Sequence, residues 1–565
     1  MLQLTLFQPS TPLATDLYYL AHFRCLTEWL RSHYRDLLSS AERGFIEQFS
    51  SVPRASQALL ARLAMRKGPL FRASKVHYPE IGDPASALGP LVERQWIDPQ
   101  PALSLEELIA LLRRSELPHA FPGLVGRMRK APALELLRGL HPYRQPRRFA
   151  HWCPGIDDSV WRVSVAPLCT RLRLLYFGNF RQDFRQFVLQ EMGVLQYEQV
   201  RLSARSRAFS SRRDIENFFA LHECHSALQG QMPLAQVLAH LPRRRLRPRW
   251  LESRRSELLF QLARRYACEG DHASALRLYR RSRHPQARLR GVRSLEALGR
   301  AAAARAAACQ ALQHPISSVE ARCLSRTLRR LQRNAGLPFA EFRSSTDTSL
   351  QGLQRLDVVI AQLPSGPSIE RIVRDRLATA ASPVHYVENA LINSLFGLLC
   401  WDAIFAPVRG AFFHAFQTGP MDLYTSDFVP RRQTQFERCL RWLESGAYRS
   451  VIRQNRRLKS ALQSPFVSWG LLSEDLLELA LACIPPAHLR LYFARLLADL
   501  REHRAGLPDL VQFYPAEQRY RLIEVKAPGD RLQDNQQAWI DYCLQHELPV
   551  QLCRVRWAAA MPERA

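Results

Sequence analysis

Lysine is nearly missing from this chain of 565 residues. Only Lys67, Lys75, Lys130, Lys459 and Lys526 occur among 79 basic residues, so almost every cation is an arginine. No two of the twelve cysteines form a Cys-x-x-Cys pair, which excludes the commonest dithiol and zinc motifs. No secretory leader pattern opens the sequence, so reduced, mostly buried thiols in a cytoplasmic protein are expected. The longest apolar run, 390–405, is cut by Asn393, Ser394 and Asp402. It is too short and too polar to span a bilayer, and it reads as a buried helix with no membrane partner. Walker loops, Gly-rich dinucleotide fingerprints and nucleophile elbows are all missing, which argues against the nucleotide-dependent and serine-hydrolase classes. His222 and His225 stand three apart with no partner cluster, too little for a metal pair.

What is present is positive charge. Lys+Arg 79 against Asp+Glu 51 gives a formal net charge of +28, which favours a polyanionic partner through counterion release. A hydrophobic content of 47% is enough for packed cores, and the length suggests roughly three to five domains. Over 16–66, Leu17, Tyr18, Leu20, Phe23, Leu26 and Leu30 keep a helical period. Ser104 and Glu107 form a capping-box pattern opening a helix, followed by a Leu-Pro break at 117–118. Arg127, Arg129 and Lys130 then precede a short helix at 133–137, a small unit able to offer cations to a phosphate backbone. Val160-Trp161-Arg162-Val163 is β-rich, and Phe180, Phe184 and Phe187 recur at helical spacing as a core face. Arg243, Arg244, Arg245, Arg247, Arg249, Arg254 and Arg255 mark a domain junction and a candidate DNA-facing stripe. Beyond it, Gly270-Asp271 and Gly299-Arg300 recur 29 residues apart in a helical stretch with the cadence of tetratricopeptide-like hairpins.

The chemistry lies near the C-terminus. Gly506-Leu507-Pro508-Asp509-Leu510 is followed, fifteen residues after its Asp, by Glu524-Val525-Lys526. The pattern predicts strands at 510–514 and 519–526, a helix at 531–546 and a strand at 549–556. Because side chains alternate along a strand, Glu524 and Lys526 share one face while Val525 points into the core. Two carboxylates suit a hard divalent cation, and an ammonium beside them positions a water, which is the chemistry of a metal-dependent nuclease. In a chain that nearly always uses Arg, a Lys beside Glu524 marks a position needing a compact point charge. Glu388, at the start of a helix expected to run from Tyr386 through Trp401, is a carboxylate in otherwise apolar surroundings. It therefore asks for a compensating cation.

Asp509, Glu524-x-Lys526, Gln536 and Trp539 together resemble the VRR-type nuclease domain of the PD-(D/E)xK superfamily. Glu388 before Ser394-Leu395-Phe396-Gly397, Trp401-Asp402, Met421-Asp422-Leu423, Met65-Arg66-Lys67-Gly68 and Tyr176-Phe177-Gly178-Asn179 narrow this to a bacterial form of the Fanconi-associated nuclease family. The resemblance implies a mainly α multidomain protein with a C-terminal α/β PD-(D/E)xK-type nuclease domain. Its parts would be an N-terminal helical domain at 1–75, a SAP-like DNA-binding region with an aromatic, β-rich extension at 76–245, a helical repeat at 246–375 and the nuclease at 376–565. It implies 5′-flap endonuclease and 5′-to-3′ exonuclease activity on branched DNA in interstrand-crosslink repair, by metal-activated water attack. Glu388, Asp509, Glu524 and the Val525 carbonyl would ligate Mg²⁺ or Mn²⁺, Lys526 would hold or activate the water, and Gln536 would support the site. Arg127, Arg129, Lys130, Arg243, Arg244 and Arg245 are the candidate DNA contacts. A monomer or weak dimer acting at the nucleoid is expected. A ubiquitin-binding zinc finger is not, since no Cys/His quartet has its spacing. The alternatives are a non-catalytic junction-binding scaffold and a junction resolvase using the same site.

Overall fold

A computed structural model describes residues 17–126, 128–140, 145–179, 182–230, 232–337, 352–360 and 368–558. Arg127 and Phe180 lie outside them. The chain groups into two compact units, Met1–Leu195 with Ser210–Arg212 and Gln196–Phe209 with Arg213–Ala565.

In the first unit the helical period is realised as Tyr18–Tyr34, which buries Leu20, Phe23, Leu26 and Leu30. The next helix, Ser40–Ser51, begins at a capping box between Ser39 and Glu42. That same Glu42 is buried and accepts from Arg212 at 2.5 Å and Arg171 at 3.3 Å, an inner ion cluster. The β-rich stretch becomes Val160–Val163, the middle strand of an antiparallel three-stranded sheet between 70–72 and 97–98. The capping box of Ser104 and Glu107 opens Leu105–Leu111 as expected. At 117–118 the structure departs from the expected break. Leu117–Ala120 is a short helix with its proline in the first turn, where a missing N–H costs nothing.

The second unit carries five successive helices, Arg249–Cys268, His272–Arg281, Ala287–Ala297, Ala301–Gln313 and Ser318–Asn334. Gly270 (φ +86°) and Gly299 (φ +72°) turn the chain between helix pairs in the left-handed region that glycine enters without cost. The unit's sheet has five strands in the order Gln354–Ile360, Val550–Trp557, Arg519–Lys526, Leu510–Tyr514, Val384–Tyr386. Leu510–Tyr514 and Arg519–Lys526 form the anticipated antiparallel hairpin, and Val550–Trp557 pairs parallel with strands on both sides. Thus the protein is mainly helical with an α/β C-terminal part.

Two strands of this five-stranded sheet were not foreseen. Gln354–Ile360 comes from the segment read as helical repeat, and it forms the sheet edge. Val384–Tyr386 replaces the first turn of the expected long helix, which instead runs as Leu391–Leu399 and Trp401–Ile404 after a turn with Asn389 at φ +54°. Both helices are buried almost all round, as the apolar run required. One sheet face, with Ile523, Val525, Cys553 and Val555, packs on Val373 of helix Ile369–Leu377. The opposite face, with Tyr520, Leu522, Val550 and Leu552, joins the large core containing Phe396, Trp401 and Trp539. No single helix among the described residues is long and apolar enough to cross a membrane.

Candidate active site

The sheet face that packs on the large core changes character along its strands. Tyr520 and Leu522 are apolar and buried, and two residues further the same face presents Glu524, then Lys526. Asp509 immediately precedes Leu510–Tyr514 and sits on this face by alternation with Val511 and Phe513. The side chains meet. Asp509 Oδ2 accepts from the Val525 backbone N–H at 2.9 Å, and Lys526 Nζ lies 2.6 Å from Glu524 Oε1. Strand alternation therefore collects two carboxylates and an amine at one end of the hairpin, with Val525 turned into the opposite core.

Burial and like charge make this pocket costly to ionise. Glu524 is 0% exposed. The Lys526 ammonium pairs with its Oε1. Its Oε2 has no hydrogen-bond donor among the described residues. Burial first, then the neighbouring charge of Asp509, pushes the Glu524 carboxyl up to about 8, against the pull of Lys526. Burial likewise raises Asp509 to about 6, with Glu388 and Glu370 adding to the rise, while the Val525 N–H and Lys526 oppose it. Two such groups titrate as a coupled pair. Two buried carboxylates with one backbone donor, on Asp509, and one ammonium, beside Glu524, are what a hard divalent cation with oxygen ligands would satisfy, so the residues fit one. They supply fewer ligands than a closed cage, since no group of three or more His, Cys, Asp and Glu is gathered for metal binding among the described residues.

The other expected site residues are placed differently. Glu388 is exposed in the turn before Leu391–Leu399, contrary to its reading as a carboxylate buried on a helix. It accepts from the Tyr386 hydroxyl and, at 3.4 Å, from Asn389, and its negative field still reaches Asp509 and Glu524. Gln536 does not meet the trio through any recorded bond. Its Oε1 accepts from Gln533 N–H at 2.9 Å, capping helix Asp534–Gln545. Val525 is fixed through its N–H, and its side chain is buried. Asp422 and Asp427 serve the protein's own arginines, Arg431 and Arg432 for the first and Arg249 for the second.

Of the candidate DNA contacts, Arg129 is exposed at the N-terminus of Lys130–Arg138, whereas Lys130 is half-buried and donates to the Ala110 carbonyl at 3.0 Å. Arg243, Arg244 and Arg245 are exposed between Leu234–His240 and Arg249–Cys268. Two members of the wider stripe turn inward. Arg254 stacks on Phe218 and Trp250, and Arg255 is buried against Glu252 and the Pro242 and Arg243 carbonyls.

Three further residues, none of them read as part of the site, hold the trio in place. Asn389 Oδ1 accepts from Leu507 N–H at 3.0 Å, and Asn393 Nδ2 donates to the Asn389 and Arg504 carbonyls. Gly506, at φ +89°, brings its backbone so close to Asn535 that an added Cβ would lie 2.7 Å from the Asn535 carbonyl carbon. The Glu388 turn, the Gly506–Asp509 stretch and helix Asp534–Gln545 are thereby locked together.

Three family models match this chain: the FAN1 HTH domain over residues 17–98, the Fanconi anemia-associated nuclease SAP domain over 102–152 and the VRR-NUC domain over 443–557. A Fanconi-associated nuclease 1 homolog of Pseudomonas aeruginosa is 48% identical over 97% of both chains. One from Arabidopsis thaliana is 25% identical over 99% of this chain and 69% of its own length. Among solved structures, paFAN1 bound to 2-nt 5′-flap DNA with a gap superposes with a TM-score of 0.88 at 47% identity, covering 97% of this chain and 100% of that one. The same protein bound to 1-nt 5′-flap DNA with a gap gives 0.87 at 48% identity, over 96% and 100%. VRR-NUC nucleases depend on a metal, in keeping with the donor-poor carboxylate pair. With its buried Asp509 and Glu524, the flanking Lys526 and this similarity along nearly its whole length, the chain belongs to the Fanconi-associated nuclease family.

Proposed function

We propose that this nuclease hydrolyses phosphodiester bonds of branched DNA, cutting 5′ flaps and degrading strands 5′-to-3′ in the repair of interstrand crosslinks. The observation that carries the reading is the convergence of Asp509, Glu524 and Lys526 in a chain 47% identical to a protein crystallised on 5′-flap DNA. The charge of +28 supports a DNA partner, and Arg129, Arg243, Arg244 and Arg245 are exposed cations available to its backbone.

Asp509 and Glu524 would hold Mg²⁺ or Mn²⁺, with Glu388 and the Val525 carbonyl completing the ligand set. A cation held there would supply neutralisation of the scissile phosphate and acidification of a water. Lys526, steered by Glu524, is placed to orient the attacking water. The Val525 N–H fixes the rotamer of Asp509, and the apolar rows behind the site keep bulk solvent from screening the charges. The Asn389 and Gly506 contacts hold the turn of Glu388 against Asp509. Selection of flaps rests on DNA shape and bending.

End-labelled 5′-flap, four-way junction, single-stranded and RNA substrates, incubated with Mg²⁺ or Mn²⁺ and with a chelator, test the reading. Metal-dependent products mapping beside the flap junction are expected. Preferential cutting of the four-way junction, or of RNA, would overturn the substrate assignment.

A further inference from the structure

The strand Val550–Trp557 brings a second cation to the site. In its parallel register Leu552 lies beside Glu524 and Arg554 beside Lys526, about 4.8 Å away across the sheet. Arg554 therefore shares the face of the two carboxylates, one strand over. Below it Leu552 is buried in the core, and Arg554 is the first residue of this row to emerge from it.

Its surroundings distinguish it from an ordinary solvated arginine. Asp357 is its register neighbour on the far side, yet the Asp357 carboxylate goes to Arg556, at 3.3 Å. Arg554 itself makes no hydrogen bond or ion pair among the described residues. It lines a cavity of about 710 Å³ together with Lys526, Arg531, Arg556 and Trp557. Trp557 borders the cavity at the end of the same strand, but its side chain alternates to the opposite sheet face with Val555. A cavity that begins at the catalytic amine and continues over an unpaired guanidinium matches the phosphates of one nucleic-acid strand.

We propose that this cavity is the subsite for the nucleotides next to the scissile bond, with Arg554 forked onto the phosphate adjacent to the one being cut. The inference rests on the flap-nuclease reading and extends it to named contacts. Arg556, already neutralised by Asp357, contributes less.

Full-length protein and a labelled 5′-flap substrate test this. Binding is read by anisotropy across a salt series with chelator present, and cleavage is read with Mn²⁺. Arg554→Ala is expected to weaken binding roughly tenfold and to flatten the dependence of log K on log salt by about 0.7, the value of one single-strand phosphate contact. Arg554→Lys should recover the salt slope, because it restores the charge, and Arg556→Ala should change it less than Arg554→Ala does. If wild type binds and cuts flaps while Arg554→Ala keeps its affinity and salt slope, the subsite is wrong and the flap reading survives. If wild type neither binds nor cuts the flap, both fall.

Discussion

Replacing Glu524 by glutamine should stabilise the metal-free protein at neutral pH while abolishing its activity. The Glu524 carboxyl ordinarily titrates near 4.5, and in the fold it is raised to about 8. The native state therefore holds a proton more tightly than the unfolded chain, so stability is full below about 4.5 and is lost as pH rises towards 8. At 1.36 kcal/mol per unit, Glu524 alone takes away roughly 3 kcal/mol by pH 7 and roughly 5 by pH 8, to order of magnitude. Glutamine fills nearly the same volume without that charge. Melting should thus be nearly alike for wild type and Glu524→Gln at pH 5, with the variant several degrees higher at pH 8 when a chelator is present. Excess Mg²⁺ binds only the native carboxylates and should raise the wild-type midpoint alone. Scanning calorimetry at the two pH values, with and without Mg²⁺, checks this. An unchanged difference between variant and wild type at pH 5 and 8, or an equal Mg²⁺ shift in both, would refute the electrostatic account of the site.

Protons and cation compete for the same oxygens, so Mn²⁺ affinity, followed by equilibrium dialysis, should climb from pH 6 to pH 8 and level off above. Gly506→Ala adds a Cβ 2.7 Å from the Asn535 backbone at φ +89°; a loss of about 3 kcal/mol, seen as a lowered melting midpoint, should accompany weaker Mn²⁺ binding, since Asp509 follows three residues on. Gly397→Ala meets the Phe466 Cβ at 2.7 Å and the Val467 Cγ2 at 3.0 Å, a core overpacking worth about 1–3 kcal/mol in the same melting assay, but with Mn²⁺ affinity retained.

The trio was legible because it depends on local rules. Period-two alternation alone puts Glu524 and Lys526 on one face, and the 3.6 period of Leu20, Phe23, Leu26 and Leu30 finds the first helix. Strand Gln354–Ile360 was not legible. Its partner is Val550–Trp557, nearly two hundred residues away, and pairing at that range leaves no local mark. Val384–Tyr386 is three residues long, too short to show a period, and the apolar run after it looked like one helix until Asn389 turned the chain. Arg254 and Arg255 read as part of a DNA-facing stripe, yet aromatic faces and backbone carbonyls draw them inside. Gln536 fell in the first turn of a helix, where an open backbone N–H at Gln533 claims its side chain. Glu388 was read as a carboxylate among apolar neighbours, yet its surroundings in the fold are solvent and Tyr386.

The most direct measurement is the behaviour of Asp509→Ala on a 5′ flap with saturating Mg²⁺. Removing one of the two buried carboxylates should leave flap binding intact and eliminate incision. Incision at the wild-type rate would mean that the cation, if one acts, is held elsewhere.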